Sequence, residues 1–384
     1  MAEADLRPSV AASETGDPLL LTPGPLTTSL SVKRAMLHDW GSRDEGFLAM
    51  NRRVLAAIAD LAEAGDSHVA VPMQGSGTFA VEAMIATLVP ASGKLLVLVN
   101  GAYGKRALAI CARLGRASAA LETPEDRPPD LAALERALAD DPAISHVLAV
   151  HCETTSGILN PIEEIAARVA AAGRKLLVDS MSAFGALPIT PAAAPFEALA
   201  ASSNKCLEGV PGLGFVLCEK AALAAAAGHA PSLSLDLADQ QAALAKTGQY
   251  RFTPPIHVIA ALDQAIREHA AEGGVAGRGA RYYENCRVLV EGMRARGFQT
   301  LLPDALQAPI IVTFRTPVDP AFDFQRFYDG LAARGYLIYP GKLTVAESFR
   351  MGCIGRLDRA DMAGALAAVD AVMAEMGVAA GAPA

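Results

Sequence analysis

Ser202-Ser203-Asn204-Lys205-Cys206-Leu207-Glu208-Gly209-Val210-Pro211-Gly212 sets one lysine in a run of small residues and follows it with a glycine–proline turn. Upstream, Leu176-Leu177-Val178-Asp179 reads as a buried strand that closes on an aspartate. A carboxylate at that point is poorly solvated unless it finds a partner. A lysine in a segment too tight for a solvated face has a lowered pKa and becomes a usable nucleophile. Each residue alone has a plainer reading, as a surface lysine or a helix-capping aspartate. Together they offer an amine able to form a Schiff base and a carboxylate able to hold a pyridinium proton, which are the two demands of pyridoxal phosphate chemistry.

Working outward, the chain of 384 residues suits a large α/β domain with a smaller one appended. Strands are predicted at His68–Met73, Leu95–Asn100, His146–His151, Lys175–Asp179, Phe196–Ser202, Gly214–Cys218, Ile310–Phe314 and Leu337–Tyr339. Helices are predicted at Gly77–Leu88, Gly104–Leu114, Asp130–Ala139, Pro161–Ala172, Pro255–Glu272 and Gly279–Ala295. Near-continuous apolar strands separated by helices imply a mostly parallel sheet covered on both faces. The pattern changes after about residue 275, where a long helix leads into a shorter strand–helix–strand region. The expected division is a mobile segment 1–18, a large domain 19–275 whose arm 19–40 packs on the small domain or a partner, a small domain 276–378, and a mobile tail 379–384.

Composition narrows the function classes. The hydrophobic share of 52% is largely alanine, a strong helix former. No apolar run reaches the roughly 18 residues of a membrane span, and the N-terminus has no secretory pattern. Six scattered cysteines without a C-x-x-C pair fit neither a zinc site nor a disulfide framework, so a cytoplasmic setting and no metal are expected. A net charge of −8 and no basic block disfavour nucleic acid.

Other strand ends carry chemistry. Gln74-Gly75-Ser76-Gly77-Thr78 opens a helix whose free N–H groups attract phosphate, but Ala80 breaks the G-x-G-x-x-G spacing of a nicotinamide site. Asn100-Gly101-Ala102-Tyr103-Gly104 puts an aromatic ring where a flat heterocycle can stack. His151-Cys152-Glu153-Thr154-Thr155-Ser156-Gly157 is rich in hydroxyls, with His151 itself read as structural. Tyr250-Arg251-Phe252-Thr253-Pro254-Pro255 leads into a helix, and Ser348-Phe349-Arg350-Met351-Gly352 supplies a planar guanidinium suited to oxyanions.

With these segments in place the chain resembles the fold-type I, class-V pyridoxal-phosphate aminotransferases, and most closely those acting on 2-aminoethylphosphonate and pyruvate. The resemblance runs from Thr22-Pro23-Gly24-Pro25 through Gly41-Ser42-Arg43-Asp44 to Phe349-Arg350-Met351-Gly352. It implies an α/β fold with a mostly parallel seven-stranded sheet flanked by helices and a smaller α+β C-terminal domain. It implies pyridoxal 5'-phosphate as cofactor, Lys205 as the Schiff-base lysine and Asp179 at the pyridinium nitrogen. Ser76, Gly77 and Thr78 would hold the phosphate, Tyr103 would stack on the ring, Thr154 would contact its hydroxyl and Asn204 would lie beside the phosphate. Tyr250 and Thr253 would reach the neighbouring subunit's phosphate, which makes a homodimer part of the expectation. Arg350 would bind the substrate anion, with Arg43 the next candidate. One departure is Cys353 after Gly352, where the family more often carries asparagine. The implied reaction gives phosphonoacetaldehyde and L-alanine. The alternatives are an alanine- or serine-glyoxylate transaminase on the same fold and a catalytically silent scaffold.

Overall fold

Near-pure aliphatic strands stay dry on both faces only when helices cover both sides of their sheet. The computed structural model of the chain, which describes residues 10–343 and 346–382, has this arrangement. Seven strands pair in the order His68–Gln74, Leu213–Glu219, Ala198–Ser202, Lys175–Asp179, Ile144–Val150, Lys94–Val99, Ala117–Glu122. Leu213–Glu219 runs antiparallel to both its neighbours, and every other pairing is parallel. The expected mostly parallel seven-stranded sheet is therefore present.

Side chains alternate across this sheet. Leu176, Val178, Leu199 and Ala201 enter the core on one face, together with the helix Glu45–Leu61. Leu177, Ala198 and Ala200 enter the core on the other face, against the helix Gly77–Leu88. Asp179 shares the parity of Leu177. The strand thus delivers its terminal carboxylate toward the N-terminal end of Gly77–Leu88.

The remaining differences have local causes. The edge strand Ala117–Glu122 lies outside the predicted set because its sequence, ASAALE, has no aliphatic run and no fully buried residue. The predicted strand Leu337–Tyr339 is in fact two short pieces. Tyr336–Leu337 pairs with Leu19–Leu20, and Tyr339–Pro340 pairs with Ser348–Gly352. The helices Glu45–Leu61, Leu237–Thr247, Phe324–Ala332 and Arg359–Met376 also lie outside the predicted set.

A three-stranded antiparallel sheet of Ile311–Arg315, Ser348–Gly352 and Tyr339–Pro340 forms the C-terminal part. Its core joins Phe298, Phe314, Phe327 and Phe349 to the helices Gly274–Ala295 and Arg359–Met376. The N-terminal arm is built into this region: the Gly352 amide donates to Leu21 O at 2.8 Å, and the Ala11 amide donates to Arg334 O at 3.0 Å. Residues 1–9 and 383–384 of the two expected mobile termini lie outside the described residues. Near the other end, the Gly381 amide donates to Arg296 O at 2.9 Å. Among the described residues no helix is long and apolar enough to cross a membrane. All six cysteines are free and buried.

Candidate active site

The carboxyl ends of the parallel strands open on a cavity of about 190 Å³. Ser76, Gly77, Thr78, Tyr103, Asp179, Asn204 and Lys205 all line it. So do Arg106, Met181 and Ser202, which the sequence reading did not single out. Residues spread over more than a hundred positions of chain thus meet where open α/β sheets collect ligands.

Asp179 is only 6% exposed. Burial pushes its carboxyl up to about 6, against one compensating hydrogen bond, from the Met181 amide at 3.0 Å. Burial also lowers the Lys205 amine to about 8. Its Nζ donates to Pro23 O at 2.6 Å, a carbonyl delivered by the N-terminal arm. The cavity therefore combines a partly desolvated amine with a partly desolvated carboxylate, both strongly perturbed and both aimed at the same space.

The rest of the lining, and the residues next to it, fit pyridoxal 5'-phosphate. Ser76 is the N-cap of Gly77–Leu88, yet its side chain makes no capping hydrogen bond, so hydroxyl and helix-end amides are free for an oxyanion. Thr154 Oγ1 and Ser202 Oγ are buried without a partner among the described residues, which is costly unless a bound group completes them. Arg350 is 6% exposed; its guanidinium donates to Pro340 O at 3.1 Å and Thr154 O at 2.8 Å. Among the described residues it is a buried cation hydrogen-bonded to neutral carbonyls alone.

Buried charges behind Lys205 fix the lysine turn. Glu208 sits in the left-handed region (φ 59°) three residues after Lys205. Its Oε1 accepts from Arg281 Nη2 at 2.7 Å and from the Tyr282 hydroxyl at 2.6 Å. Arg278 Nη1 donates to Cys206 O at 2.5 Å, while Glu272 binds Arg278 and Arg281, each at 2.6 Å. These residues come from the helix Gly274–Ala295 and the turn before it, and no local pattern around Lys205 announces them.

The structure distributes the other predicted residues differently. Thr154 adjoins Arg350 through its carbonyl. Tyr250, expected to reach a neighbouring subunit, in its own protomer donates its hydroxyl to Asn51 Oδ1 at 3.3 Å. Thr253 and Arg43 are exposed and outside the cavity lining. Cys353 turns away from the cavity into the C-terminal core beside Cys286, so its departure from asparagine falls on packing. His151 is structural: its Nδ1 meets Ser180 Oγ at 3.1 Å, and burial holds the imidazole down at about 4. Glu153 is wholly buried, with Oε1 accepting from the Thr155 amide (3.0 Å) and hydroxyl (2.6 Å) and Oε2 accepting from the Tyr103 amide (3.2 Å). It ties the helix Ala102–Leu114, which carries Tyr103, to the hydroxyl-rich loop.

Comparison with known proteins agrees with this geometry. Residues 41–329 match the family described as aminotransferase class-V. A Pseudomonas fluorescens protein named 2-aminoethylphosphonate–pyruvate transaminase is 55% identical over 362 residues, covering 94% of this chain and 98% of the relative. The crystal structure of pyridoxamine-pyruvate aminotransferase from Mesorhizobium loti superposes with a TM-score of 0.86 at 27% identity, covering 95% of this chain and 94% of the other. That of alanine–glyoxylate aminotransferase from Nostoc sp. gives 0.85 at 25% identity, covering 96% and 98%.

Proposed function

This chain belongs to the class-V aminotransferases, and from that premise we propose that it transfers the amino group of 2-aminoethylphosphonate to pyruvate, giving phosphonoacetaldehyde and L-alanine. The observation that carries the reading is the meeting of Lys205 and Asp179 in one cavity, with the Arg350 guanidinium, which forms no ion pair among the described residues, held nearby on the Thr154 carbonyl.

Pyridoxal 5'-phosphate, when bound, supplies an electron sink that acidifies the C–H bond beside the donor's amino nitrogen. Asp179 would face the ring nitrogen and keep a proton on it. Ser76, Gly77 and Thr78 would hold the phosphate with Asn204 beside it, Tyr103 would cover the ring, and Thr154 would meet its hydroxyl. Lys205 would anchor the group through Nζ and, once displaced by the donor, move a proton between the two reacting carbons. An amine lowered to about 8 is basic enough to take that proton and acidic enough to return it. Arg350 would bind the donor's phosphonate and the acceptor's carboxylate in turn, since its planar fork suits both oxyanions. Arg43 is the second anion ligand to consider.

The active form is a homodimer in this reading, with Tyr250 and Thr253 directed at the neighbouring site. The exposed Phe252 beside Thr253 supports it, because an apolar ring at that place gains from being covered. The six unpaired thiols support a cytoplasmic setting. We take residues 19–275 as the cofactor-binding domain and 276–378 as the small domain.

A panel of amino donors with pyruvate, read by alanine formation, tests the proposal. 2-Aminoethylphosphonate is expected to be used far better than serine or other amino acids. Turnover confined to alanine or serine with glyoxylate would replace it with the alternative reading.

A further inference from the structure

Three cations gather at the edge of the cavity, two of them around Tyr103, which lines it. Lys342 Nζ lies 4.6 Å from the centroid of the Tyr103 ring, and the Arg106 guanidinium carbon lies 4.9 Å from the same centroid. Arg350 is the third, set 6.0 Å from the Tyr339 ring. Among the described residues the polar partners of the two arginines are neutral: Arg106 donates to Thr78 Oγ1 at 3.1 Å, and Arg350 donates to two carbonyls. Among the described residues none of the three forms an ion pair. Glu153, the carboxylate facing Lys342 and Arg350, is already committed to Thr155 and Tyr103. Burial, then Arg106 and Arg350, all disfavour the charge on Lys342, and Glu153 only partly offsets them. An uncompensated cluster of this kind is unfavourable in the free protein and becomes favourable when an anion enters.

The number of charges decides which anion. A carboxylate carries one negative charge and is satisfied by one guanidinium fork. A phosphonate has three oxygens and, like a phosphate ester with a second pKa of about 6, carries close to two charges at neutral pH. Arg106 leans toward Thr78 at the helix end, whereas Lys342 and Arg350 come from the C-terminal part. We propose that Lys342 is a specificity-determining residue that, together with Arg350, matches the second negative charge and third oxygen of the donor's phosphonate, so that the same pocket takes the doubly charged donor more strongly than a singly charged carboxylate. This rests on the reading of 2-aminoethylphosphonate as the donor.

The test compares wild type with Lys342→Met and Lys342→Arg as holoenzymes, using both substrates and two unreactive probes, ethylphosphonate and propionate. In Lys342→Met the donor kcat/KM is expected to fall on the order of tenfold to hundredfold, the range of one charged hydrogen bond. The fall for pyruvate should be several-fold smaller. Ethylphosphonate binding should weaken by the donor's factor and propionate binding by the smaller one. Lys342→Arg should recover most of the loss. In wild type, affinity for ethylphosphonate should rise as pH takes the phosphonate through its second ionisation, with Lys342, Arg106, Arg350, Glu153 and Tyr103 the ionisable groups facing it. That rise should flatten in Lys342→Met. Equal losses for both substrates and both probes, or no loss at all, would overturn the inference while leaving the donor assignment intact. Wild-type enzyme without turnover of 2-aminoethylphosphonate would instead overturn the donor assignment on which it rests.

Discussion

Gly24 sets the position of the Lys205 amine, and adding one methyl there is a direct test of how tightly that amine is held. A Cβ at Gly24 would lie 2.7 Å from Lys205 Cδ, 2.8 Å from Nζ and 3.0 Å from Cε. Carbon atoms in contact prefer about 3.5–4.0 Å, so the lysine must retreat by roughly 0.7–1 Å. It has little room to do so, because Nζ is bound to Pro23 O and the turn behind it is clamped through Glu208 and Arg278. The backbone adds a separate cost. A φ of 113° at Gly24 is a conformation in which other residues are strained by about 1–3 kcal/mol. Misplacing a reacting group by about 1 Å costs on the order of a hundredfold in rate. Gly24→Ala should therefore lose roughly a hundredfold in kcat/KM, which is about 2.7 kcal/mol, and about 1–3 kcal/mol of stability. Gly115→Ala is the control: φ is 64° there, and a Cβ would meet nothing within 4 Å. It should cost about 1–2 kcal/mol of stability and leave turnover alone. Steady-state rates, the absorbance of the bound cofactor and urea midpoints read out both effects. A Gly24→Ala enzyme with native rate and absorbance would refute the claim that this contact positions the amine.

Four further outcomes follow from the same geometry. Asp179→Asn should fold and bind cofactor but turn over slower by orders of magnitude, a near-native rate being the contrary result. In the cofactor-free protein Asp179 also has a pH signature. Its folded pKa, about 6 against an ordinary 3.8, means the folded state holds a proton the unfolded state has lost, so stability from this group falls as pH rises from about 4 to 6. The unfolding free energy from urea titrations should drop across that window by an amount on the order of 3 kcal/mol in wild type and less in Asp179→Asn. Arg350→Lys, which trades a planar fork for a point charge, should raise KM for donor and acceptor about tenfold or more with little change in fold; unchanged KM values would move the anion site to Arg43. Glu208→Ala takes away one of the two carboxylates serving Arg278 and Arg281, leaving Glu272, and strips the buried Tyr282 hydroxyl of its acceptor; it should cost about 1–3 kcal/mol, measurable by calorimetry, with wild-type stability as the contrary outcome.

What could be read from the sequence was whatever a short segment encodes. An aliphatic strand ending in Asp179, a lysine among small residues and a glycine-rich helix start each reveal themselves within a few residues, and strand parity then fixes which face Asp179 occupies. Tyr103 was legible for the same reason. Arg106 stands three residues further along the same helix and so shares its face; that spacing was an available signal. The rest depends on distant parts of the chain. Nothing near Lys205 indicates that Pro23 lies against its amine, or that Glu272, Arg278 and Arg281 lock its turn. The edge strand Ala117–Glu122 escaped because a half-exposed strand need not be aliphatic. Lys342 escaped because its meaning lies in Tyr103 and Arg350, which approach it only in the folded chain.

The most direct test of the central claim is chemical. Reducing the cofactor-loaded protein with borohydride fixes any lysine-bound pyridoxal group in place, and peptide mass mapping then locates it. The added mass should fall on the peptide carrying Lys205 and on no other lysine. Label on a different lysine, or none at all, would contradict the account.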